Sequence, residues 1–137
     1  MRRCPTGRKG RNRLTDQTPK RVLIVEDEVL LAMYLEDLLT GLGHEVVGQA
    51  TRIDAAIKLA RESDIDFAIL DINVAGTKSF PVADILRQRS IPFAFASGYG
   101  AEGFPDGYRD EPALRKPYAQ EDLQRTIARV FADRPPV

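Results

Sequence analysis

Polar side chains stand at the carboxyl ends of four apolar segments that the sequence predicts to be parallel strands. The segments are 22–25, 66–70, 91–96 and 113–115, and they are followed by Glu26-Asp27-Glu28, Asp71, Ser97 and Lys116. An open α/β sheet carries its chemistry in the crevice at the carboxyl ends of its strands. The sequence therefore predicts one site built from residues that are far apart along the chain.

A helix is predicted after Glu28, because apolar residues recur there at the spacing of one helix face until Gly41 and Gly43 end the pattern. The predicted buried positions are Leu30, Leu31, Tyr34, Leu35, Leu38, Leu39 and Leu42. The next apolar segment, 45–50, ends without a polar group and is predicted to be an edge strand.

Three further helical patterns complete the alternation of strands and helices. Thr51 with Asp54 resembles a capping box and predicts a second helix, and Ser79 with Pro81 predicts the start of a third. A last helix is predicted over 120–131. The buried faces would be Ile53, Ala56, Ile57 and Ala60 in the second helix, and Leu123, Ile127, Val130 and Phe131 in the last. This βα alternation predicts an α/β fold with three layers, α/β/α.

The stretch 98–113 lacks the helix that a βα repeat would place there. Between Ser97 and Lys116 the chain has four glycines and two prolines in eighteen residues. In a helix interior, glycine costs about 1 kcal/mol and proline about 3 kcal/mol. We therefore expect a mobile loop with at most one helical turn, so that the fourth helix is short or disordered.

Length and charge predict one small domain with a basic tail. The expected divisions are a disordered tail over 1–20, the domain over 21–133 and the C-terminal end over 134–137. Residues 1–21 carry a net charge of +7 and residues 22–137 a net charge of −7. The tail could contact nucleic acid or an acidic partner, although a solvated tail is the simpler interpretation. The acidic body argues against nucleic acid as the main ligand.

Other features of the sequence favour the cytoplasm as the compartment. No apolar stretch reaches the length of a membrane span, and the N-terminus lacks the pattern of a secretion signal. The single cysteine, Cys4, cannot form an internal disulfide.

The order of strands decides whether the polar groups meet. In a doubly wound sheet of order 2-1-3-4-5, the third strand lies between the first and the fourth, at about 4.8 Å from each. Asp71 would then lie between Glu26 and Asp27 on one side and Ser97 on the other, and Lys116 could reach the same place from roughly 10 Å away. Three carboxylates held together repel one another unless a cation is present. With oxygen ligands and no nearby His or Cys, the expected ion is Mg²⁺.

Phosphoryl transfer is the chemistry that such a group of side chains favours. A carboxylate can act as a nucleophile and form an aspartyl phosphate, and phosphoryl transfer depends mostly on positioning and charge neutralisation. In this interpretation Mg²⁺, the Lys116 ammonium and the Ser97 hydroxyl would bind the phosphoryl oxygens. Gly98 would leave room for the incoming group.

The four strand-end segments resemble the signature segments of response-regulator receiver domains of two-component signalling. They are Val22-Leu-Ile-Val-Glu-Asp-Glu28, Ile69-Leu-Asp71-Ile-Asn73, Phe95-Ala-Ser97-Gly-Tyr99 and Arg115-Lys116-Pro-Tyr118. The resemblance covers about residues 21–132 and implies a flavodoxin-like (βα)5 fold. It implies that Asp71 accepts phosphate from a histidine kinase and that Glu26, Asp27 and the Asn73 carbonyl bind Mg²⁺ with it. It also implies a cis peptide bond before Pro117, which makes Pro117 a candidate switch residue.

The segment Pro92–Tyr99 further resembles the alphaproteobacterial FAT GUY subset of receivers, which are often stand-alone regulators that work with kinases of the HWE type. Two departures from the family's motifs affect which residues are expected to change conformation on phosphorylation. Ser97 replaces the threonine of the motif and keeps its hydroxyl, whereas Ala113 stands where ordinary receivers carry an aromatic switch residue. The 98–113 loop, with Tyr99, is therefore the candidate moving element.

Three alternatives remain open from the residues. A haloacid-dehalogenase-like phosphatase would need a second Asp two positions after Asp71, where this chain has Asn73. A flavodoxin-type flavin binder would need a phosphate cradle after the first strand, where the acidic residues would repel phosphate. The strongest rival is a degenerate receiver that acts as a phosphorylation-independent interaction module.

We expect no output domain after the last predicted helix, because only a few residues follow it in this sequence. We therefore expect a single-domain regulator that signals by docking to a partner protein, or that acts as a phosphate shuttle or sink. Beyond the chemistry that the receiver carries out on itself, no enzyme activity is expected.

Overall fold

The computed structural model describes residues 19–97, 113–115 and 119–132. In chain order, its elements are β1 (Arg21–Val25), α1 (Val29–Gly41), β2 (Glu45–Ala50), α2 (Ile53–Glu62), β3 (Phe67–Asp71), β4 (Asn73–Val74), β5 (Thr77–Lys78), α3 (Phe80–Gln88), β6 (Phe93–Ser97), β7 (Ala113–Arg115) and α4 (Gln120–Ala132). The predictions for residues 1–18 of the basic tail, for most of the 98–113 loop and for the C-terminal end concern residues outside this description.

Five strands form a parallel sheet in the order β2-β1-β3-β6-β7. Counted along the chain within this sheet, the order is 2-1-3-4-5, which confirms the prediction. β2 lies at one edge and pairs with β1, as expected for the apolar segment that ends without a polar group.

Helices cover both faces of the sheet. Successive side chains of the central strands point to opposite sides and are apolar on both, so each face must be buried. Leu23, Leu70 and Phe95 belong to the hydrophobic cluster under α2 and α3. Ile24 and Ile69, their neighbours in sequence, belong to the cluster under α1 and α4. The near-continuous apolar strands are thus explained by burial on both sides, and the three-layer α/β/α prediction is confirmed.

The buried face of α1 differs from the predicted face. Leu35 and Leu39 are buried as expected, but the third buried residue is Ala32, and Leu30 and Tyr34 are 81% and 44% exposed. Because the first half of α1 is apolar on nearly every side, the helical period alone does not identify the face that meets the sheet.

No helix in the described part of the chain has both the length and the apolarity needed to cross a membrane.

The helix starts are near their predicted positions, but the predicted side-chain caps are wrong. α2 begins after Arg52, not Thr51, and the Asp54 carboxylate accepts a hydrogen bond from Ala55 N at 2.9 Å, so no capping box forms. Ser79 is the N-cap of α3, as predicted, but its side chain makes no capping bond. The Ser79 carbonyl oxygen instead accepts bonds from the first turn of the helix.

The antiparallel hairpin β4–β5 was not predicted. Asn73 pairs with Lys78 and Val74 with Thr77, and the two turn residues between them both have positive φ, at 51° for Ala75 and 85° for Gly76. Positive φ at both central residues defines a type I′ turn, for which Asn-Gly is the usual sequence. Two-residue strands are too short to show an alternating pattern, and Ala-Gly is a weak turn signal.

An ion pair joins the start of β1 to the start of β3. The Asp66 carboxylate accepts hydrogen bonds from Arg21 N at 2.8 Å and from Arg21 Nε at 3.2 Å. Desolvation by itself would raise the pKa of Asp66, but the hydrogen bonds from Arg21 and the attraction of Arg21 and Lys20 outweigh it and lower that pKa. A lowered pKa means that Asp66 contributes stability above the ordinary carboxyl range and that this contribution is lost as the pH falls through the folded-state value.

We expect the Asp66→Asn variant to lose less stability on acidification than the wild type, because the wild type must protonate a stabilised carboxylate. Urea unfolding between about pH 3 and 7 would measure this difference. Glu62→Gln removes an exposed charge at the end of α2, is the matched control and should follow the wild type. Parallel profiles for the Asp66 variant and the wild type would contradict this role.

Candidate functional site

The register of the sheet brings the predicted strand ends to one edge. β3 pairs with β1 on one side, where Leu70 is opposite Val25, and with β6 on the other, where Asp71 is opposite Ala96. Glu26 and Asp27 follow β1 directly, and Ser97 is the last residue of β6. The prediction that Asp71 lies between the acidic pair and the Ser97 position is therefore confirmed.

Three carboxylates meet at this edge. Glu26, Asp27 and Asp71 each place one carboxylate oxygen so that the three atoms lie within 4.8 Å of one another. Glu26 is only 2% exposed, whereas Asp27 and Asp71 are accessible to solvent. Glu26 is held in place by its main-chain N–H, which donates to Ala50 O at 2.9 Å, and by its Oε2 atom, which accepts a bond from Glu28 N at 3.1 Å.

The donor set of this cluster fits a hard divalent cation. Each of the three residues offers a carboxylate oxygen, and oxygen is the ligand that Mg²⁺ prefers in proteins. Negative charges this close repel one another, and one of them is buried, so a bound cation would offset a real electrostatic cost. The accessible side of the cluster, at Asp27 and Asp71, would leave room for water or a phosphoryl oxygen on the ion.

Asp27 has a hydrogen-bond partner that sequence reasoning missed. Its Oδ2 atom accepts a bond from Ala75 N at 3.0 Å, across forty-eight positions of sequence. Ala75 lies at the tip of the β4–β5 hairpin. The available signal was Gly76 in a turn flanked by the β-branched Val74 and Thr77, which is a weak indication of a two-residue hairpin because Ala-Gly is not a usual type I′ pair.

Asn73 is exposed and lies two positions after Asp71, at the start of β4. Bonded and non-bonded pairs alternate along an antiparallel ladder. Ser79 N donates to Ile72 O at 2.9 Å, so the adjacent Asn73–Lys78 pair is a non-bonded one. The peptide groups of Asn73 therefore point away from β5, which is compatible with the predicted use of its carbonyl as a metal ligand.

Most of the remaining predicted site residues lie outside the part of the chain that the structure describes. Gly98, Tyr99, Lys116 and Pro117 are not described, and for Ser97 the description covers the backbone alone. Ser97 is paired with Arg115 of β7, the residue before Lys116. Strands β6 and β7 therefore end at the edge of the sheet that carries the acidic cluster. The roles of these five residues stay predictions.

Comparison with known proteins identifies the family of the chain. The model of the response regulator receiver domain family matches residues 22–128. The phyllosphere-induced regulator PhyR of Methylorubrum extorquens is 39% identical over 115 residues, which are 80% of this chain and 43% of that protein. The chain spans about half the length of the curated relatives it matches.

Solved structures agree with this assignment. The solution structure of SdrG from Sphingomonas melonis Fr1 has a TM-score of 0.75 and 39% sequence identity, and the match covers 82% of this chain and 97% of that one. The BeF3-activated conformation of SdrG from Pseudomonas melonis Fr1 matches with a TM-score of 0.71 and 40% identity, over 81% and 95% of the two chains. With its five-stranded parallel sheet and acidic edge, the chain belongs to the response regulator receiver domain family.

Proposed function

We propose that this receiver accepts a phosphoryl group on Asp71 from a sensor histidine kinase, in a reaction that depends on Mg²⁺. A carboxylate oxygen of Asp71 would attack phosphorus, the bond from phosphorus to the kinase's imidazole nitrogen would break, and the imidazole would leave. The observation that carries the proposal is the acidic cluster, in which Asp71 is the strand-end carboxylate with Glu26 and Asp27 beside it.

Each residue of the site has a distinct part in this proposal. Glu26 and Asp27, with Asp71 and the Asn73 carbonyl, would hold Mg²⁺, which supplies positive charge to the phosphoryl oxygens when bound. Ser97 and Lys116 would contact the other phosphoryl oxygens, as in the family that the chain resembles. Gly98 would leave space for the group.

The phosphorylated protein would signal through other proteins. It would dock to a downstream partner, or it would act as a phosphate shuttle or sink. Both roles use a reversible change in charge at this edge of the sheet. We place the moving element in the 98–113 loop with Tyr99 and at Pro117, because Ala113 cannot act as the aromatic switch residue. A kinase of the HWE type is the proposed donor.

Incubation with acetyl phosphate is the direct test of this function. We expect the mass of the protein to rise by one phosphoryl group in the presence of Mg²⁺ and to stay unchanged with EDTA. Peptide mass spectrometry should place the modification on Asp71. Absence of labelling under both conditions would favour the rival proposal, a degenerate receiver that binds partners without phosphorylation.

The start of α1 offers a surface for the kinase. A phosphodonor protein must contact the rim of the site, and α1 begins two residues after Asp27. Val29, Leu30, Met33 and Tyr34 are 60%, 81%, 53% and 44% exposed, and they form an apolar patch on the first turns of this helix. Exposed apolar side chains next to a charged site are typical of a protein-binding surface.

We expect Leu30→Glu to slow phosphotransfer from the cognate kinase by at least about tenfold, which corresponds to about 1.4 kcal/mol of lost docking energy. Labelling by acetyl phosphate should be unchanged, since a small donor needs no protein surface. Rates would be measured with purified phosphorylated kinase, and Lys58→Glu on the exposed side of α2 is the control. Equal slowing with both donors would show damage to the site instead of lost docking.

Asn73 is expected to control the lifetime of the phosphorylated state. Its exposed side chain is two positions from the acceptor, where it can obstruct or orient an attacking water. We expect Asn73→Ala to change the hydrolysis rate of the aspartyl phosphate while leaving its site of formation on Asp71 the same. The decay of labelled protein after removal of acetyl phosphate measures this rate, and an unchanged rate would exclude this role for Asn73.

A further inference from the structure

Ala75 has a strained backbone conformation next to the acidic cluster. Its φ of 51° lies in the left-handed region, which costs a residue with a side chain roughly 1–2 kcal/mol. Asn or Gly at this position of a type I′ turn would avoid most of that cost. Strained backbone that persists in a folded protein is concentrated at functional sites.

The strained residue makes a specific contact with the acidic cluster. The Ala75 N–H donates to Asp27 Oδ2 at 3.0 Å, and the acceptor is a carboxylate, which makes the bond stronger than a neutral one. This bond ties the β4–β5 hairpin to the β1–α1 connection, at the same edge of the sheet.

The base of the hairpin is fixed, so the position of the Ala75 amide is fixed with it. Val74 is fully buried in the core under α2 and α3, and Ser79 N donates to Ile72 O at 2.9 Å to close the ladder. Asp71, the last residue of β3, lies only four residues before Ala75 in the chain. The hairpin therefore links two of the three carboxylates, since it follows Asp71 closely along the chain and bonds to Asp27 from its tip.

We propose that the Ala75-Gly76 turn is a positioning element for the metal site, and that the Ala75 amide orients the Asp27 carboxylate for a divalent cation. This inference rests on the proposed Mg²⁺-dependent function. With Oδ2 engaged by the amide, rotation of the Asp27 carboxylate is restricted, and the ligand is ordered before the ion arrives. Groups that orient a metal ligand in this way typically contribute 10–100-fold to metal affinity.

Substitutions of Ala75 should differ in effect according to the backbone conformation that they allow, and not according to the side chain that they introduce. Asn tolerates positive φ, so Ala75→Asn should keep the turn and the amide in place. Valine is β-branched and is strongly disfavoured at positive φ, so Ala75→Val should open the turn. Thr77→Val introduces the same valine on the exposed β5 strand, where extended backbone accepts it, and controls for the added apolar group.

Calorimetric titration with Mg²⁺ tests the proposal without any phosphorylation. We expect Ala75→Val to raise the dissociation constant about 10–100-fold, with Ala75→Asn and Thr77→Val close to the wild type. Wild-type affinity in Ala75→Val would overturn the inference and leave the proposed function intact. If the wild type itself bound no Mg²⁺, the proposed function would fail as well, so the two failures are distinguishable.

A second measurement keeps the test valid if Ala75→Val does not fold. In the metal-free protein, the amide proton of Ala75 should move strongly in NMR spectra when Asp27 is replaced by Asn, because a charged acceptor becomes a neutral one. The amides of Val74 and Thr77 should move much less, since they pair within the hairpin. An Ala75 resonance unaffected by Asp27→Asn would show that the hydrogen bond does not hold the carboxylate, and would overturn the proposal.

Discussion

Asp71→Asn is expected to abolish Mg²⁺-dependent phosphorylation of this protein. An amide oxygen is a far weaker nucleophile than a carboxylate, and the substitution also removes one of the three negative charges that would hold the cation. The expected result is no added mass after incubation with acetyl phosphate and Mg²⁺, under conditions that label the wild type. The backbone of β3 is unchanged by this substitution, so the variant should fold.

The matched control for this experiment lies at the other end of the same strand. Asp66 immediately precedes β3, pairs with Arg21 and is remote from the acidic cluster, so Asp66→Asn should be labelled like the wild type at neutral pH. Circular dichroism would verify that both variants are folded. Labelling of Asp71→Asn at the wild-type level would mean that another residue accepts the phosphoryl group, and the assignment of the acceptor would be wrong.

Phe95→Ala is expected to destabilise the fold by about 3–5 kcal/mol, the range observed when a buried aromatic residue is truncated. Phe95 is fully buried in β6, and its ring contacts Phe80 and Phe93 at centroid distances of 5.5 Å in both cases. Small domains are stable by only about 5–15 kcal/mol, so this loss is a large part of the total. Urea or thermal unfolding measures it directly.

Two comparison variants give the Phe95 result its meaning. Phe95→Leu keeps most of the buried apolar volume and should cost clearly less than the alanine variant. Met33→Ala removes an exposed side chain from α1 and should change stability by less than about 0.5 kcal/mol. A loss of similar size in Phe95→Ala and Met33→Ala would argue against the core that the structure describes.

The architecture of the protein could be predicted because its signals are redundant. The central strand segments are almost wholly apolar, since both faces of the sheet are covered, and each is separated from the next by a helical pattern or a turn. Asp71 at the end of β3 and the Glu26-Asp27 pair after β1 are identifiable for the same reason: a charged group directly after a buried strand marks the point where the chain leaves the core. The order of the strands then brings these groups together.

The details that could not be predicted depend on contacts between distant segments. α1 is apolar around its first turns, so its own period did not reveal that Ala32 faces the sheet and Leu30 faces solvent. The predicted capping box at Thr51 was wrong because Asp54 bonds to a neighbouring amide instead. In each case several local conformations satisfy the sequence almost equally well, and packing against the rest of the molecule selects one.

By itself, the sequence determined the four helices that the structure describes, the five strands of the parallel sheet and the charged groups that end the strands, because apolar runs and backbone preference are properties of short segments. The tertiary structure alone decided how close the three carboxylates lie, which face of α1 is exposed, and that the Ala75 amide bonds to Asp27. These outcomes depend on distances between segments that are separated by tens of residues, and only the packed sheet determines such distances.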